Sequence, residues 1–492
     1  MTIHFPFNNT YSRLPDRFFS RVAPASAPAP RLVRLNRSLA EELGLDPDWL
    51  CSQEGVEILA GKRLPQEAEP IAMAYAGHQF GHFVPQLGDG RAILLGEIID
   101  RSGTRRDIQL KGAGRTPFSR SGDGRAALGP VLREYVVSEA MAALGIPTTR
   151  SLAAVTTGDV VVRDTALPGA VLTRVASSHI RVGTFQFFAA RADTEGVRLL
   201  ADHVIARHYP AAAEHEHRYR ALLDFVIERQ AALIAQWLLV GFIHGVMNTD
   251  NMSIAGETID YGPCAFLDAY HPATVFSSID RDGRYAYANQ PRIAAWNLAR
   301  LAETLLPLLA EDENKAVAHA EEALTRFGPK FEIAFNKGMR KKLGLFSERE
   351  EDTQLIRDLL TTMAENQADF TLTFRGLSDA AADPAAEIRV RRLFVNPDAY
   401  DDWAIRWRKR IEIEPQPASD RSAAMRAVNP KYIARNHRVE AVIEAAVERK
   451  DFAPFEELLA VLAAPFDDQP KLARYATGPE PHHRVLQTFC GT

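Results

Sequence analysis

Two short segments in the middle of the chain carry side chains whose types and spacing suit chemistry on a metal-bound phosphate. The first reads HGVMNTDN, residues 244–251, and the second reads IDYGP, residues 259–263. Asn251 and Asp260 offer an amide oxygen and a carboxylate, both of which are oxygen ligands of the kind that Mg²⁺ binds. Asp250, directly before Asn251, is a further carboxylate that could accept a proton as a general base.

The first segment has the frame of a protein-kinase catalytic loop, H-R-D-x-x-x-x-N, with His244 and Asn251 at its two ends. A kinase carries its catalytic Asp at the third position, where it accepts the proton of the substrate hydroxyl. This chain has Val246 there, and valine cannot take a proton. The second segment keeps an Asp, Asp260, in D-Y-G where kinases have D-F-G. The sequence therefore predicts that metal and nucleotide binding survive and that the kinase base position is lost. Asp250 is the candidate for a base that approaches from another direction, and a helix- or turn-capping role is its alternative.

A glycine-rich turn precedes a predicted strand in QLGDGRAILLGE, residues 86–97. Gly88 and Gly90 would let the backbone approach phosphates closely, and Arg91 adds a fixed positive charge. By itself this signal is weak, because a G-x-G sequence is also typical of a plain hairpin turn.

Lys111 ends the apolar strand IQLKG, and a helix that contains Glu134 and Glu139 follows it. In kinases a strand lysine contacts the ATP phosphates and is held by a glutamate of the next helix. Glu134, near the helix start, is the preferred partner, although the sequence alone does not decide between the two. A lone lysine at a strand end is more often an ordinary surface residue.

The loop GRTPFSRSGDGRAALGP, residues 114–130, lies between that strand and that helix. Asp123 and Gly124 lie in this loop, beside arginines 115, 120 and 125. Arginines among glycines are suited to binding a polyphosphate. A solvated loop without a ligand is the alternative.

Composition limits the possible partners and compartment. The chain of 492 residues has a formal net charge of −5, which gives no basic field for nucleic acid. Its three cysteines are far apart and suit a reducing compartment. The longest apolar stretch, 230–243, is too short to span a bilayer. We therefore predict a cytoplasmic protein that binds neither membrane nor nucleic acid. A transit peptide is the alternative for the Arg-rich N-terminus, but the Pro-rich segment 23–30 argues against it.

The element pattern predicts an α+β protein with a kinase-like bilobal fold. We divide the chain into an N-terminal extension (1–67), a strand-rich part with the nucleotide-binding loop (68–180), a helical part with the catalytic and metal loop (181–345) and a helical C-terminal region (346–492). Fold analogy alone carries no chemistry.

Four local predictions can be compared directly with the structure. Strands are expected at 91–99 and 106–112, and helices at 132–146 and 217–245. The stretch LSDAAADPAAE, 377–387, reads as an exposed linker. AGHQFGH places His78 and His82 four residues apart, as in a helical zinc pair, but its glycines favour a structural turn.

Several long motifs closely resemble the selenoprotein O family. They are YAGHQFGHFVPQLGDGRAILLGE, QLKGAGRTPFSRSGDGRAALGPVLREYVVSEAM, HGVMNTDNMSIAGETIDYGP and AVNPKYIARNHRVEAVIEAA (427–446). The resemblance covers the chain from about residue 5 to its end. It implies a kinase fold that binds ATP in the reverse orientation and transfers AMP to hydroxyl side chains of proteins. The catalytic Asp missing at Val246 is then not needed.

Carried over residue by residue, the resemblance implies Asp250 as the proton acceptor and Asn251 and Asp260 as ligands of Mg²⁺ or Mn²⁺. It adds Arg174 and Arg181 as nucleotide contacts, and these two rest on the family alone. The full set of implied nucleotide-site residues is Gly88, Gly90, Arg91, Lys111, Asp123, Gly124, Glu134, Arg174, Arg181 and Asp260.

Some members of the family carry selenocysteine or paired cysteines near the C-terminus, whereas this chain ends in FCGT with only Cys490. A C-terminal redox pair is therefore not expected, and a disulfide between Cys490 and Cys264 stays open. UTP with manganese is an alternative to ATP. A phosphotransferase with a relocated base and a non-catalytic nucleotide-binding scaffold are the other readings, although a pure scaffold has no need of Asp260.

Overall fold

The computed structural model describes residues 5–489, which form a mixture of strands and helices. The strands are β1 (Phe19–Arg21), β2 (Arg31–Leu35), β3 (Ile71–Met73), β4 (Gly77–Gln79), β5 (His82–Val84), β6 (Ala92–Ile99), β7 (Arg105–Lys111), β8 (Ala126–Ala127), β9 (Arg150–Val162), β10 (Ala166–Ala176), β11 (Phe242–Ile243) and β12 (Ala265–Phe266). The main sheet is antiparallel, in the order β1-β3-β6-β7-β10-β9-β2, with β8 against β10.

Helices make up most of the chain after β10, as the sequence predicts. The first group is α1 (Arg37–Glu42), α2 (Pro47–Leu50), α3 (Gln53–Leu59), α4 (Leu128–Ala143), α5 (Val182–Ala189), α6 (Thr194–His208), α7 (Arg218–Leu239), α8 (Gln290–Leu309) and α9 (Glu313–Leu324). The second group is α10 (Phe327–Lys342), α11 (Glu351–Glu365), α12 (Phe370–Ala380), α13 (Glu387–Arg391), α14 (Pro397–Glu412), α15 (Ala418–Arg426), α16 (Asn436–Arg449) and α17 (Ala453–Leu462). No helix within residues 5–489 is both long and apolar enough to cross a membrane.

The predicted hairpin of β6 and β7 is confirmed. Asp100 forms its turn, because its Oδ1 accepts hydrogen bonds from the backbone N–H groups of Ser102 and Thr104, each at 2.9 Å. The register then pairs Lys111, the last residue of β7, with Ala92, the first of β6. Lys111 is thereby placed next to the glycine-rich turn that precedes β6.

The N-terminal residues take part in the same sheet. β1 pairs with β3, and β2 pairs with the long strand β9. The extension predicted for residues 1–67 therefore supplies both edge strands of the sheet, and the division of the chain at residues 67, 180 and 345 stays a prediction.

Helix α7 is shorter than the sequence suggests. The predicted helix 217–245 ends at Leu239, and the chain turns at Gly241, which has φ +73°. A side chain at Gly241 would also be strained against Phe370, because a Cβ there would lie 2.9 Å from that ring. The residues after the turn form β11, which pairs with β12. This pairing closes the base of the loop that contains both motif segments, 244–263.

Helix α4 is shifted relative to its prediction. It starts four residues before 132 and ends at Ala143, and Gly145 follows with φ +76°. Most of its side chains are buried against the sheet and the C-terminal helices, Glu134 among them. The earlier start places Glu134 in the second turn of the helix, facing β7 and β10.

The stretch 377–387 is not a linker. Helix α12 runs through its first four residues, and Leu377 and Ala386 are buried. Asp383 caps a short 3₁₀ helix by accepting a hydrogen bond from the N–H of Ala385, and only residues 382–385 are exposed. The alanines and aspartates that suggest a linker are used here for close packing and capping.

Arg435, directly before α16, connects the C-terminal region to the rest of the molecule. Its Nη1 contacts Asp268 Oδ1 at 2.6 Å and Asp369 Oδ2 at 2.7 Å, and its Nη2 donates to the carbonyl of Ala476 at 2.8 Å. The guanidinium is fully buried. Three separate segments therefore depend on one buried charge.

We expect Arg435→Met to lower the free energy of unfolding by about 3–5 kcal/mol, because it leaves two partly buried carboxylates without their cation. Urea unfolding measures the change. Arg449→Met, at the other end of α16, is the control: its exposed pair with Glu444 contributes less than about 1 kcal/mol. Equal stability of the two variants would contradict the role given to Arg435.

Candidate functional site

A cavity of about 760 Å³ opens between one end of the sheet and the loop 244–263. It is lined by nearly all the residues that the sequence analysis selects: Gly88, Gly90, Arg91, Lys111, Asp123, Gly124, Arg174, Arg181, Asp250, Asn251 and Asp260. Glu134 lies behind Lys111, on a small adjoining recess. The structure thus gathers residues that are spread over more than a third of the sequence.

Lys111 forms an ion pair with Glu134, as the kinase-like order predicts. Glu139, the alternative, is instead paired with Arg150 at 2.8 Å. Burial and the nearby Arg174 lower the pKa of Lys111 to about 8. Burial alone would raise the pKa of Glu134, but Arg174 and Lys111 outweigh it and lower that pKa. The glutamate therefore stays ionised and fixes the position of the lysine.

Asp260 accepts hydrogen bonds from two buried arginines. Arg174 Nη2 lies 2.7 Å from its Oδ1, and Arg181 Nη2 lies 3.0 Å from its Oδ2. Burial opposes ionisation, but these two arginines and Lys111 hold the pKa of Asp260 well below its usual value. Its backbone has φ +61°, a left-handed conformation that aspartate tolerates better than most residues. This conformation turns the carboxylate toward the cavity.

Arg174 and Arg181 have further partners. Arg174 Nε contacts the second oxygen of Glu134. Arg181 Nη1 contacts Asp89 Oδ1 at 3.4 Å, and its guanidinium lies 4.4 Å from the ring centre of Tyr75. Both arginines are almost fully buried yet reach the cavity wall. Fixed, desolvated guanidinium groups of this kind are suited to binding phosphates.

Asp250 borders the same cavity in a different environment. Its side chain is buried, and its Oδ2 accepts one hydrogen bond, from Gln79 Nε2 at 3.2 Å. Its Oδ1 has no hydrogen-bond partner among residues 5–489. Burial, only partly offset by Gln79, raises the pKa of Asp250 to about 6. A carboxylate with a raised pKa that borders a cavity has the properties expected of a general base.

Asn251 and Asp260 provide a donor set that fits a hard divalent cation. Asn251 Nδ2 donates to the carbonyl of Val246 at 3.0 Å, which leaves its Oδ1 as an acceptor. Asp260 adds an ionised carboxylate, and both side chains border the cavity. Mg²⁺ is commonly bound by one or two such protein oxygens together with phosphate oxygens and water.

The glycines of the cavity wall are explained by close contact between two loops. Gly88 has φ +74°, and a Cβ there would lie 2.3 Å from the Phe118 ring. A Cβ at Gly90 would lie 2.9 Å from the carbonyl oxygen of Phe118, and Gly124 packs equally tightly on Gly114. The turn and the loop 114–130 can therefore form one continuous wall only with glycine at these positions.

Asp123 contacts a residue that the sequence analysis missed. Its carboxylate accepts hydrogen bonds from the backbone of Arg125 at 2.9 Å and from Arg163 Nη1 at 2.9 Å. It thus holds Arg163 at the cavity edge. In the sequence, Arg163 is marked only as an arginine at the end of the strand pattern VVVRD, which does not indicate a binding site.

Asp89, Tyr75 and Gln79 also line the cavity and were missed. Asp89 lies between the two glycines that were selected, so its place in the turn could have indicated it. Tyr75 and Gln79 have no motif of their own and are brought to the site by the fold.

The two histidines of AGHQFGH lie in the hairpin of β4 and β5, as the predicted turn implies. His78 pairs with Phe83 across the hairpin, and His82 pairs with Gln79. Cys264 is buried near the end of the loop 244–263. Cys490 lies outside the described residues, which end at 489, so the disulfide considered between Cys264 and Cys490 stays a prediction.

Comparison with known proteins identifies the family. Residues 2–463 match the family described as Protein adenylyltransferase SelO. The chain therefore belongs to the SelO family, and the resemblance found in its motifs is confirmed.

Similar proteins named "Protein nucleotidyltransferase YdiU" occur in several bacteria. The proteins of Rhodopseudomonas palustris (strain BisB5) and Bradyrhizobium diazoefficiens are each 69% identical over 492 residues, and that of Methylorubrum extorquens (strain PA1) is 70% identical over 498 residues. In each case the match covers 100% of both chains. The predicted enzyme class, nucleotidyltransferase, is confirmed by these matches.

We expect Lys111→Met to raise the Kd for Mg·ATP about tenfold to hundredfold, because it removes a charged hydrogen bond of about 1.5–3 kcal/mol. Isothermal titration calorimetry measures the affinity. Lys330→Met is the control, because Lys330 pairs with Glu228 on the surface outside the cavity. Unchanged affinity in Lys111→Met would mean that Lys111 serves only to satisfy Glu134.

Proposed function

We propose that this protein transfers AMP from ATP to the hydroxyl groups of Ser, Thr or Tyr side chains in acceptor proteins. The observation that carries the proposal is the position of Asp250. It borders the same cavity as the cations, whereas Val246, at the kinase base position, carries no group that can accept a proton. The family membership supports the same chemistry.

In the proposed reaction the acceptor oxygen forms a bond to the α-phosphorus of ATP. The bond between that phosphorus and the bridging oxygen to the β-phosphate breaks, and pyrophosphate leaves with both electrons of the bond. The hydroxyl proton passes to the Asp250 carboxylate, which borders the cavity. A general base of this kind contributes about 10²–10⁴-fold to a rate.

The cations that line the cavity would bind the phosphates of ATP. Lys111 is held by Glu134, and Arg174 and Arg181 are held by Asp260. Because their partners fix them before a nucleotide arrives, they need little rearrangement to stabilise the charge that develops on the leaving group. Arg91, Arg163 and the glycine-rich wall would complete the contacts.

Asn251 and Asp260 would hold Mg²⁺ or Mn²⁺, which supplies positive charge against the phosphate oxygens when bound. Their donor set does not discriminate between these two ions, since both accept amide and carboxylate oxygen. UMP transfer from UTP is the alternative at the same site.

The arrangement also supports the kinase-like fold as part of the proposal. The lysine comes from a strand and its glutamate from the following helix. The amide of Asn251 and the carboxylate of Asp260 come from a loop that is closed by the short strands β11 and β12. This is the order of the corresponding parts in a protein kinase. This shared order, together with a base at Asp250, supports a bilobal kinase-like fold that binds ATP in the reverse orientation.

A phosphotransferase with a relocated base is the second candidate, because the Lys111–Glu134 pair is the one that kinases use. Purified protein is incubated with bacterial protein extract and Mg·ATP labelled on either the α- or the γ-phosphate. We expect protein-bound label from the α-position only. Label from the γ-position alone would establish the phosphotransferase instead, and label from neither would contradict both reactions.

We expect Asp250→Asn to lower kcat by about 10²–10⁴-fold while the Kd for Mg·ATP stays within twofold, because the change removes the base and keeps the side-chain shape. Asp260→Asn is the comparison, since it should weaken both metal-dependent ATP binding and turnover. Calorimetry gives the affinity and α-label transfer gives the rate. Near-normal turnover by Asp250→Asn would overturn its assignment as the base.

A further inference from the structure

The hairpin of β4 and β5 packs directly on the segment that carries Asp250. The backbone N–H of His78 donates to Thr249 Oγ1 at 2.7 Å, and the backbone N–H of Phe80 donates to Asn248 Oδ1 at 3.0 Å. Both side-chain acceptors are buried. Residues on either side of Gln79 are therefore fixed to the two residues that precede Asp250.

Gln79, between His78 and Phe80, contacts Asp250 itself. Its Nε2 donates to Asp250 Oδ2 at 3.2 Å, and no other side chain in the range 5–489 hydrogen-bonds that carboxylate. Gln79 is partly exposed and borders the cavity. The orientation of the carboxylate thus depends on one donor from an element distant in sequence.

Two glycines allow the hairpin to approach Asp250 closely. A Cβ at Gly77 would lie 2.4 Å from Asp250 Oδ1, and a Cβ at Gly183 would lie 2.1 Å from the carbonyl oxygen of Ala76. Ala76 in turn donates its N–H to the carbonyl of Gly183 at 2.9 Å. Two glycines therefore allow the start of the hairpin to lie against the carboxylate.

A second set of contacts connects the hairpin to helix α5 and to Tyr285. Gln186 on α5 accepts a hydrogen bond from Thr249 Oγ1 at 2.6 Å and contacts His78 Nδ1 through its Nε2 at 2.9 Å. At the tip, Phe80 has φ +52°, and its ring packs on Tyr285, whose hydroxyl donates to Asn248. The hairpin is therefore rigidly held, and Gln79 has a fixed point from which to act.

We propose that Gln79 is a positioning residue that, through its hydrogen bond to Oδ2, holds the Asp250 carboxylate in the orientation in which it meets the acceptor hydroxyl. The amide cannot take the proton itself. It acts by restricting the rotation of the carboxylate about its side-chain bonds, which lowers the cost of reaching the reactive geometry. This inference rests on the proposed role of Asp250 as the base.

The first test is Gln79→Met, which keeps a similar side-chain volume and removes the donor. We expect kcat for α-label transfer to fall about tenfold to hundredfold, with the Kd for Mg·ATP within twofold. A role in nucleotide binding would instead change the Kd, and that result would overturn the proposal. Unchanged kcat would overturn it as well.

The matched control is His82→Ala in the same hairpin. His82 is exposed and lies directly across from Gln79, but it makes no hydrogen bond to residues 248–250. We expect its kcat to stay within twofold of that of the unchanged protein. A loss equal to that of Gln79→Met would show that any change in the hairpin disturbs the site, and the specific role of Gln79 would be wrong.

A double-mutant comparison separates this inference from the proposed function. If Gln79 acts through Asp250, then Gln79→Met should cause no further loss of kcat in an Asp250→Asn background. A further tenfold loss there would overturn the positioning role while leaving Asp250 as the base. Full activity of Asp250→Asn alone would instead overturn the assignment of the base. Thermal unfolding of each variant confirms that the compared proteins are folded.

Discussion

A row of buried and half-buried charges of alternating sign is the constraint on which the rest of this structure depends. In order of contact the row comprises Lys111, Glu134, Arg174, Asp260, Arg181 and Asp89. Removing a charge from water costs several kcal/mol unless a partner compensates it, so each member is tolerated only because its neighbours are in place. The row therefore fixes the relative positions of the elements that supply it.

Those elements are β7, α4, β10, the loop 244–263, the start of α5 and the turn before β6. Packing of apolar residues brings them together, but apolar packing alone tolerates small shifts. Charged hydrogen bonds do not, because their strength falls steeply with distance and angle. Under the proposed function, stability and nucleotide binding would therefore depend on the same contacts along this part of the cavity. Asp250 lies outside the row, and its proton affinity is set by burial.

The sequence could predict a site residue where a motif marks it, and could not where the residue is recognised only by a partner far away along the chain. Lys111, Glu134, Asn251 and Asp260 were found because their order along the chain matches a known arrangement. Arg174 and Arg181 came only from the family, since an arginine within a strand pattern carries no signal of its own. Gln79 was missed because its partner lies 171 residues away. The end of α7 and the supposed linker at 377–387 were misjudged because apolar content and composition do not reveal a left-handed glycine or a capping aspartate.

The contacts between the hairpin and the loop 244–263 have a consequence for the order of folding. Closing a loop of 171 residues carries a large entropic cost that must be met before the contacts between residues 78–80 and 248–250 can form. A chain still under synthesis lacks these contacts until residue 250 has left the ribosome. These contacts thus form only after synthesis has passed the midpoint of the 492-residue chain, and no N-terminal fragment that ends before residue 248 can hold the proposed catalytic geometry.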